Sequence, residues 1–243
     1  MTRVRKVFLR LRKTLSNTFP AIMPPRVVWG TTGFEFWTFL SLLLLHSKCS
    51  AILELGSGRS TITFAEYAKF RKAHLTSLET DTSWFKKAQA ELRKAGLSER
   101  YVALIDWDHG KGWYKVKKFR NLTKKRFDFI FIDGPNKPTG SSLGIRNNPI
   151  ALSELRATSL GADVVIVDDV HRRHIFEAID SMLSNPPQYE KLFYSYWVQR
   201  SHQNSLCICL RRGSHAIEHL DRIASITGIH LRTSFTADDC VEE

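Results

Sequence analysis

Ala51-Ile-Leu-Glu-Leu-Gly-Ser-Gly-Arg-Ser-Thr61 is the stretch whose reading decides the fold. Ala51, Ile52, Leu53 and Leu55 suit a buried parallel strand, and the run Ile62 to Phe70 that follows suits a helix. Between them stand Gly56 and Gly58, then Ser60 and Thr61. A glycine turn lets the backbone bend sharply and approach a ligand closely, because no Cβ intervenes. Strand, glycine turn and helix in that order are how open α/β sheets build a nucleotide-type site at the carboxyl end of a strand. Glu54 places an acid inside the strand itself.

Outward from this turn, the same unit recurs. Ala73–Glu79 reads as a second strand that ends in a carboxylate, followed by a helix over 83–95 that stops at Gly96. Tyr101–Ile105 is a third strand, running into Asp106-Trp107. Phe127–Asp133 is a fourth and Ala162–Val167 a fifth, the latter meeting Asp168-Asp169. Helices are expected over 61–72, 150–160 and 172–183, with a long glycine- and proline-bearing loop over 134–149. Two closing strands, Glu190–Gln199 and Ser205–Arg211, alternate aromatic and β-branched residues around a polar turn at 201–204, which predicts an antiparallel hairpin. A last helix is expected near 215–226. The class is α/β, with a doubly wound, mostly parallel sheet. Ligands in such sheets lie outside the carboxyl ends of the strands, where these polar residues converge.

Before the first strand, Gly33–Ser47 predicts a helix. Its apolar run is only about a dozen residues against the roughly 20 a bilayer span needs, so it reads as buried. Residues 2–15 place Val4, Val7, Phe8, Leu11 and Leu15 at helical spacing among basic residues. That pattern suits either an anionic membrane surface or docking on protein. The basic interruptions exclude a secretory signal. Residues 1–33 therefore form an arm and linker, and 34–243 the domain. Four cysteines, Cys49, Cys207, Cys209 and Cys240, show no metal-ligand spacing; they read as reduced structural thiols of a cytoplasmic protein.

The chain of 243 residues carries a formal charge of +12, which attracts polyanions without identifying one. Between 111 and 126 stand eight lysines and arginines and no acid, with Trp113, Tyr114 and Phe119 among them. Two readings are open: a face for nucleic acid or an acidic sugar, or a solvated loop or hairpin pinned by its aromatics. The second is favoured.

The residues Glu54-Leu-Gly-Ser-Gly-Arg-Ser-Thr61, Glu79, Asp106, Phe129-Ile-Phe-Ile-Asp-Gly134 and Val165-Ile-Val-Asp-Asp169 together resemble the class I methyltransferases that use S-adenosylmethionine. The resemblance covers about Ile52 to Arg211 and implies a seven-stranded sheet with a C-terminal antiparallel hairpin. It implies a cofactor site of Glu54, Gly56, Ser57, Gly58, Ser60, Thr61, Glu79, Asp106, Trp107 and Asp133. Glu79 would take the ribose hydroxyls, Asp106 the adenine amino group, and Trp107 would stack. A dinucleotide fingerprint needs a third glycine where Thr61 stands.

Asp133 with Asp168-Asp169 is similar to the acidic set of metal-dependent O-methyltransferases. It implies a divalent cation, magnesium or manganese, held by Asp133, Asp168 and Asp169. Those enzymes commonly have Asn where this chain has Asp169. Asp133, Asp168 and His171 are the candidate catalytic residues, with His171 a base or, equally, a structural helix-start histidine. Arg146, Arg172 and Arg173 would meet an anionic acceptor. The expected function is O-methylation of a hydroxyl on a glycan or another anionic, small or lipid-linked acceptor. The alternatives are RNA methylation, and a catalytically silent methyltransferase fold that binds or scaffolds. Against amino methylation, no Asn-Pro-Pro-Tyr-type tetrapeptide follows the fourth strand; Asp133-Gly-Pro-Asn136 stands there.

Overall fold

The computed structural model describes residues 34–134, 148–183, 189–198, 202–236 and 240. The N-terminal arm over 2–15, the long loop with Arg146 and Asn136, and most of the extreme C-terminus lie outside them. The first described element is helix α1 (Phe34–Ser47), followed by β1 (Ala51–Leu55), α2 (Arg59–Arg71), β2 (His74–Glu79) and α3 (Thr82–Lys94). A single 3-10 turn at 99–101 leads into β3 (Val102–Leu104). Then come β4 (Trp107–Asp108), β5 (Trp113–Tyr114), α4 (Val116–Leu122) and β6 (Phe129–Ile132). The chain continues through α5 (Pro149–Ser159), β7 (Val164–Val167), α6 (Arg173–Leu183), β8 (Tyr189–Val198), β9 (His202–Arg211) and α7 (His215–Thr227).

Seven strands form one sheet in the order β3-β2-β1-β6-β7-β9-β8. The first five are parallel neighbours, and β9 pairs antiparallel with both β7 and β8. This is the doubly wound sheet with a terminal hairpin that the sequence predicts. The strand order reverses direction at β1, whose two neighbours are β2 and β6. The ends of β1 and β6 therefore flank the switch point where such sheets bind ligands.

Alternation along the strands sorts the core into two layers. Ile52, Phe129, Phe131, Val164, Ile166 and Ile208 face one side, packed with α1, α2 and α7 residues such as Phe39, Leu43, Phe64 and Ile223. Leu53, Leu55, Ile130, Ile132, Val165 and Val167 face the other, with Trp113, Tyr114, Phe119, Ala151 and Leu155. Both faces are apolar because both are covered, the expected pattern for parallel strands. Helix α1 is buried on the first face through Phe36, Phe39, Leu40 and Leu43. Among the described residues no helix is long and apolar enough to cross a membrane.

One expectation changes and two are sharpened. The polar turn placed at 201–204 is not there: His202, Gln203 and Asn204 belong to β9 and pair with Val198, Trp197 and Tyr196. Residues 107–122 hold the expected hairpin, and a short helix that was not expected follows it. Their aromatics decide between the two readings of that stretch: Trp113, Tyr114 and Phe119 are all fully buried, so they anchor the segment and offer no stacking surface. The cysteines are free thiols; Cys207 and Cys209 lie on one face of β9 with their sulfurs 3.5 Å apart.

Candidate active site at the strand ends

The glycine turn is fixed by geometry that only one of its glycines requires. Gly56 has φ +90°, and a Cβ there would stand 2.7 Å from the carbonyl oxygen of Asp133 at the end of β6. The Gly56 N–H donates to Leu78 O, and the Asp133 N–H donates to Leu55 O, so the turn is clamped between β2 and β6. Gly58 is different. Its backbone is extended (φ −173°), and a Cβ would meet nothing nearer than Ser60 Oγ at 4.0 Å. The protein leaves space there that it does not itself use.

Behind the turn lies a chain of buried hydrogen bonds. The Gly58 N–H donates to Thr61 Oγ1 (2.9 Å), and Thr61 donates to Glu54 Oε2 (2.7 Å). Ser77 on β2 donates to the same oxygen at 2.5 Å. Thr61, at the position where a dinucleotide fingerprint would have glycine, thus ties the helix start to the strand acid. Glu54 is completely buried, and its Oε1 has no hydrogen-bond partner among the described residues. Burial pushes its carboxyl up to about 7, partly opposed by the hydroxyls of Ser60, Ser77 and Thr61. Ser77 is a site residue that sequence reasoning missed, since a serine inside a strand has no distinguishing pattern.

Glu79 closes β2 against the turn. Its Oε2 accepts from the N–H (3.0 Å) and hydroxyl (2.8 Å) of Ser57, and its Oε1 from the N–H groups of Thr80 (2.7 Å) and Asp81 (2.9 Å). Asp106, past β3, is exposed and faces Lys115 and Lys118 at 3.8 and 3.7 Å. Trp107 is half-buried and packs edge-on to Tyr114, with its indole nitrogen buried and unpartnered among the described residues. Tyr114 was not foreseen as a site residue. Burial, then the charges of Glu79 and Glu54, push its phenol well above its ordinary value, so it lies beneath the same rim. Asn148 holds the hairpin in place: it caps α5 through Oδ1 and donates through Nδ2 to Lys111 O and Gly112 O at 2.8 and 2.7 Å. The Asn-Pro pair at a helix start was its readable signal.

Across the switch point, Asp133 directly follows β6 and is exposed. Loss of solvation, then the like charges of Asp168, Asp169 and Glu54, push its carboxyl well above the usual range, with Arg172 opposing. Asp168 Oδ1 accepts from the Asp169 N–H at 2.8 Å, and Asp169, at φ +61°, pairs with Arg172 at 3.2 Å. His171 and His174 are half-buried at the start of α6. The structure brings Asp133, Asp168 and Asp169 within electrostatic reach. It does not gather them as a metal centre: no group of three or more His, Cys, Asp or Glu side chains suited to a cation occurs among the described residues. Asp169 is turned to a guanidinium instead, which neutralises the charge a cation would.

No protein-family model matches the chain, and no curated protein does. Solved structures do. A cofactor-bound protein from MTB, Rv0187, superposes with TM-score 0.54 at 20% identity, covering 84% of this chain and 90% of its own. An O-methyltransferase from Bacillus cereus, in complex with SAH, gives 0.51 at 18%, covering 83% and 90%. The O-methyltransferase TomG from Streptomyces achromogenes, involved in tomaymycin synthesis and in complex with SAM, gives 0.52 at 14%, covering 82% and 90%. The chain has the class I methyltransferase fold. At these identities the likeness is one of architecture.

The strand-end residues fit an S-adenosylmethionine molecule by their own chemistry. Gly58 leaves open space at the turn, and Glu79 stands at the neighbouring strand end. Among the described residues, Asp133, Asp168 and Asp169 are not gathered as a divalent-cation site.

Proposed function

We propose that this protein is an S-adenosylmethionine-dependent O-methyltransferase. The observation that carries the reading is the Gly56–Thr61 turn beside Glu79 at the switch point, with unused space at Gly58. Gly56, Ser57, Gly58 and Ser60 would line the methionine end of the cofactor, with Glu54 and Thr61 buried behind them to hold the turn, Glu79 would take the ribose, and Asp106 and Trp107 the adenine. When bound, the cofactor supplies a methyl group on a positively charged sulfur, which an oxygen nucleophile attacks in line. The chain's part is to orient the acceptor and take its proton. Asp133 suits that role, because a carboxyl held above its ordinary range is a better base near neutral pH. His171 is the second candidate on the same rim. Metal assistance, expected from the aspartates, is carried by no step here; activity that persists under exhaustive chelation would remove it.

The acceptor we infer is a hydroxyl-bearing anion, a glycan or a lipid-linked group. The exposed lysines of 111–125 beside Asp106 support an anionic partner, and the basic arm supports a cytoplasmic, peripheral membrane location. RNA is the weaker reading, because the aromatics that would stack on bases are buried. Calorimetry of the full chain with S-adenosylhomocysteine tests the reading. One-site binding is expected; no binding would leave a silent methyltransferase fold that acts as a binding or scaffold protein.

A further inference from the structure

An ionised carboxylate offers about four lone-pair positions for hydrogen bonds. On Glu79 the chain itself supplies four donors, two to each oxygen, and the residue is 8% exposed. A ribose that must donate to this carboxylate therefore finds each position already taken. Three of the four donors are backbone N–H groups that cannot leave without unfolding something. Those of Thr80 and Asp81 follow Glu79 directly in the chain. That of Ser57 is held between Gly56, whose N–H is on Leu78 O, and Gly58, whose N–H is on Thr61 Oγ1. The fourth donor, the Ser57 hydroxyl at 2.8 Å, departs by one side-chain rotation.

We propose that the Ser57 hydroxyl is a placeholder for a ribose hydroxyl: it occupies that position on Glu79 in the free protein and swings out when the nucleoside end of the cofactor arrives. This rests on the S-adenosylmethionine reading and assigns Ser57 a role opposite in sign to an ordinary contact residue. The exchange replaces one O–H···carboxylate bond by another, so the ribose gains less than an open carboxylate would give it. Ser57 thereby sets the affinity of the site by competing for it. The backbone N–H of Ser57 stays on Glu79 and keeps the acid aimed.

The test is calorimetry of S-adenosylhomocysteine with the full-length wild type, Ser57→Ala and Ser57→Cys, with thermal melting of each free protein. Removing the hydroxyl leaves a lone pair of Glu79 open, so Ser57→Ala should melt lower when free yet bind tighter. The expected gain is about three- to tenfold, the factor that one hydrogen bond of ordinary net strength carries. Ser57→Cys, a weaker donor of similar size, should fall between. A merely structural serine would lower melting temperature and affinity together. Unchanged or weaker binding by both variants, with the wild type binding normally, overturns the proposal. No binding by the wild type overturns the cofactor reading beneath it.

Discussion

On the β1–β2 side of the rim, Glu54, Thr61, Ser77, Ser57 and Glu79 are joined by hydrogen bonds of 2.5–3.0 Å, half of them buried and half partly so. On the β6–β7 side, Asp133 faces Asp168 and Asp169 across unfavourable charge, with Arg172 as the counter-charge. Both sides are rich in acids, yet one spends them on hydrogen bonds that fix a shape and the other holds them in mutual repulsion. Fixed shape suits recognition of a single invariant ligand. A crowded carboxyl suits proton transfer. On the proposed reading, the first side would take the methyl donor and the second the acceptor.

The sharpest way to break that assignment is on the acceptor side. Asp133→Asn should lower methyl transfer by about 10²–10⁴-fold, the range for removing a general base. It should leave the melting temperature unchanged or higher, because a like-charge contact is relieved. A variant that loses stability instead of rate would make Asp133 structural. Initial rates beside thermal melts decide it.

The next effect is on the donor side, through Glu54. Its folded-state carboxyl is raised from 4.5 to about 7 by burial. Below about pH 4.5 both folded and unfolded chains carry the proton, and no dependence arises. Between 4.5 and 7 the unfolded chain releases it while the folded one keeps it, so stability falls as pH rises, levelling above about 7. At roughly 1.4 kcal/mol per unit the whole effect is about 3 kcal/mol. Glu54→Gln should flatten this slope in denaturant titrations between pH 4.5 and 7.5; an unchanged slope would place the proton elsewhere.

The smaller effects separate the two glycines. Gly56→Ala should destabilise the fold by about 1–3 kcal/mol for its positive φ alone, and more for the clash at 2.7 Å with Asp133 O. Gly58→Ala should change stability by no more than about 0.5 kcal/mol. It should still weaken S-adenosylhomocysteine binding about tenfold, because the new methyl fills ligand space. Equal stability losses for both would mean that Gly58 serves the fold and not a ligand.

Much of this was readable in the chain. The order of elements, the antiparallel hairpin at 189–211 and the convergence of Gly56, Glu79, Asp106, Asp133 and Asp168 on one rim follow from periodicity and from glycine and acid positions at strand ends. Helix α4 was not legible: Val116–Leu122 is too short and too basic to show an apolar stripe, and it buries only Phe119 fully, with Val116 and Leu122 packed partly buried beside it. Nor was the state of the aspartates. Acids at the ends of two neighbouring strands suggest a cation, but Asp169 adopts a left-handed backbone and turns to Arg172, three residues on. Such a choice depends on distances that spacing alone does not encode. Partners such as Ser77 and Tyr114 were invisible for the same reason, because each is defined by what it faces across the sheet.

The contact of Gly56 with Asp133 has one more consequence. With no side chain between them, the turn that would grip the donor and the backbone that carries the proposed base form a single rigid joint. On the proposed reading, a donor seated at the turn would bear on the same joint that carries Asp133, which would favour its binding before the acceptor.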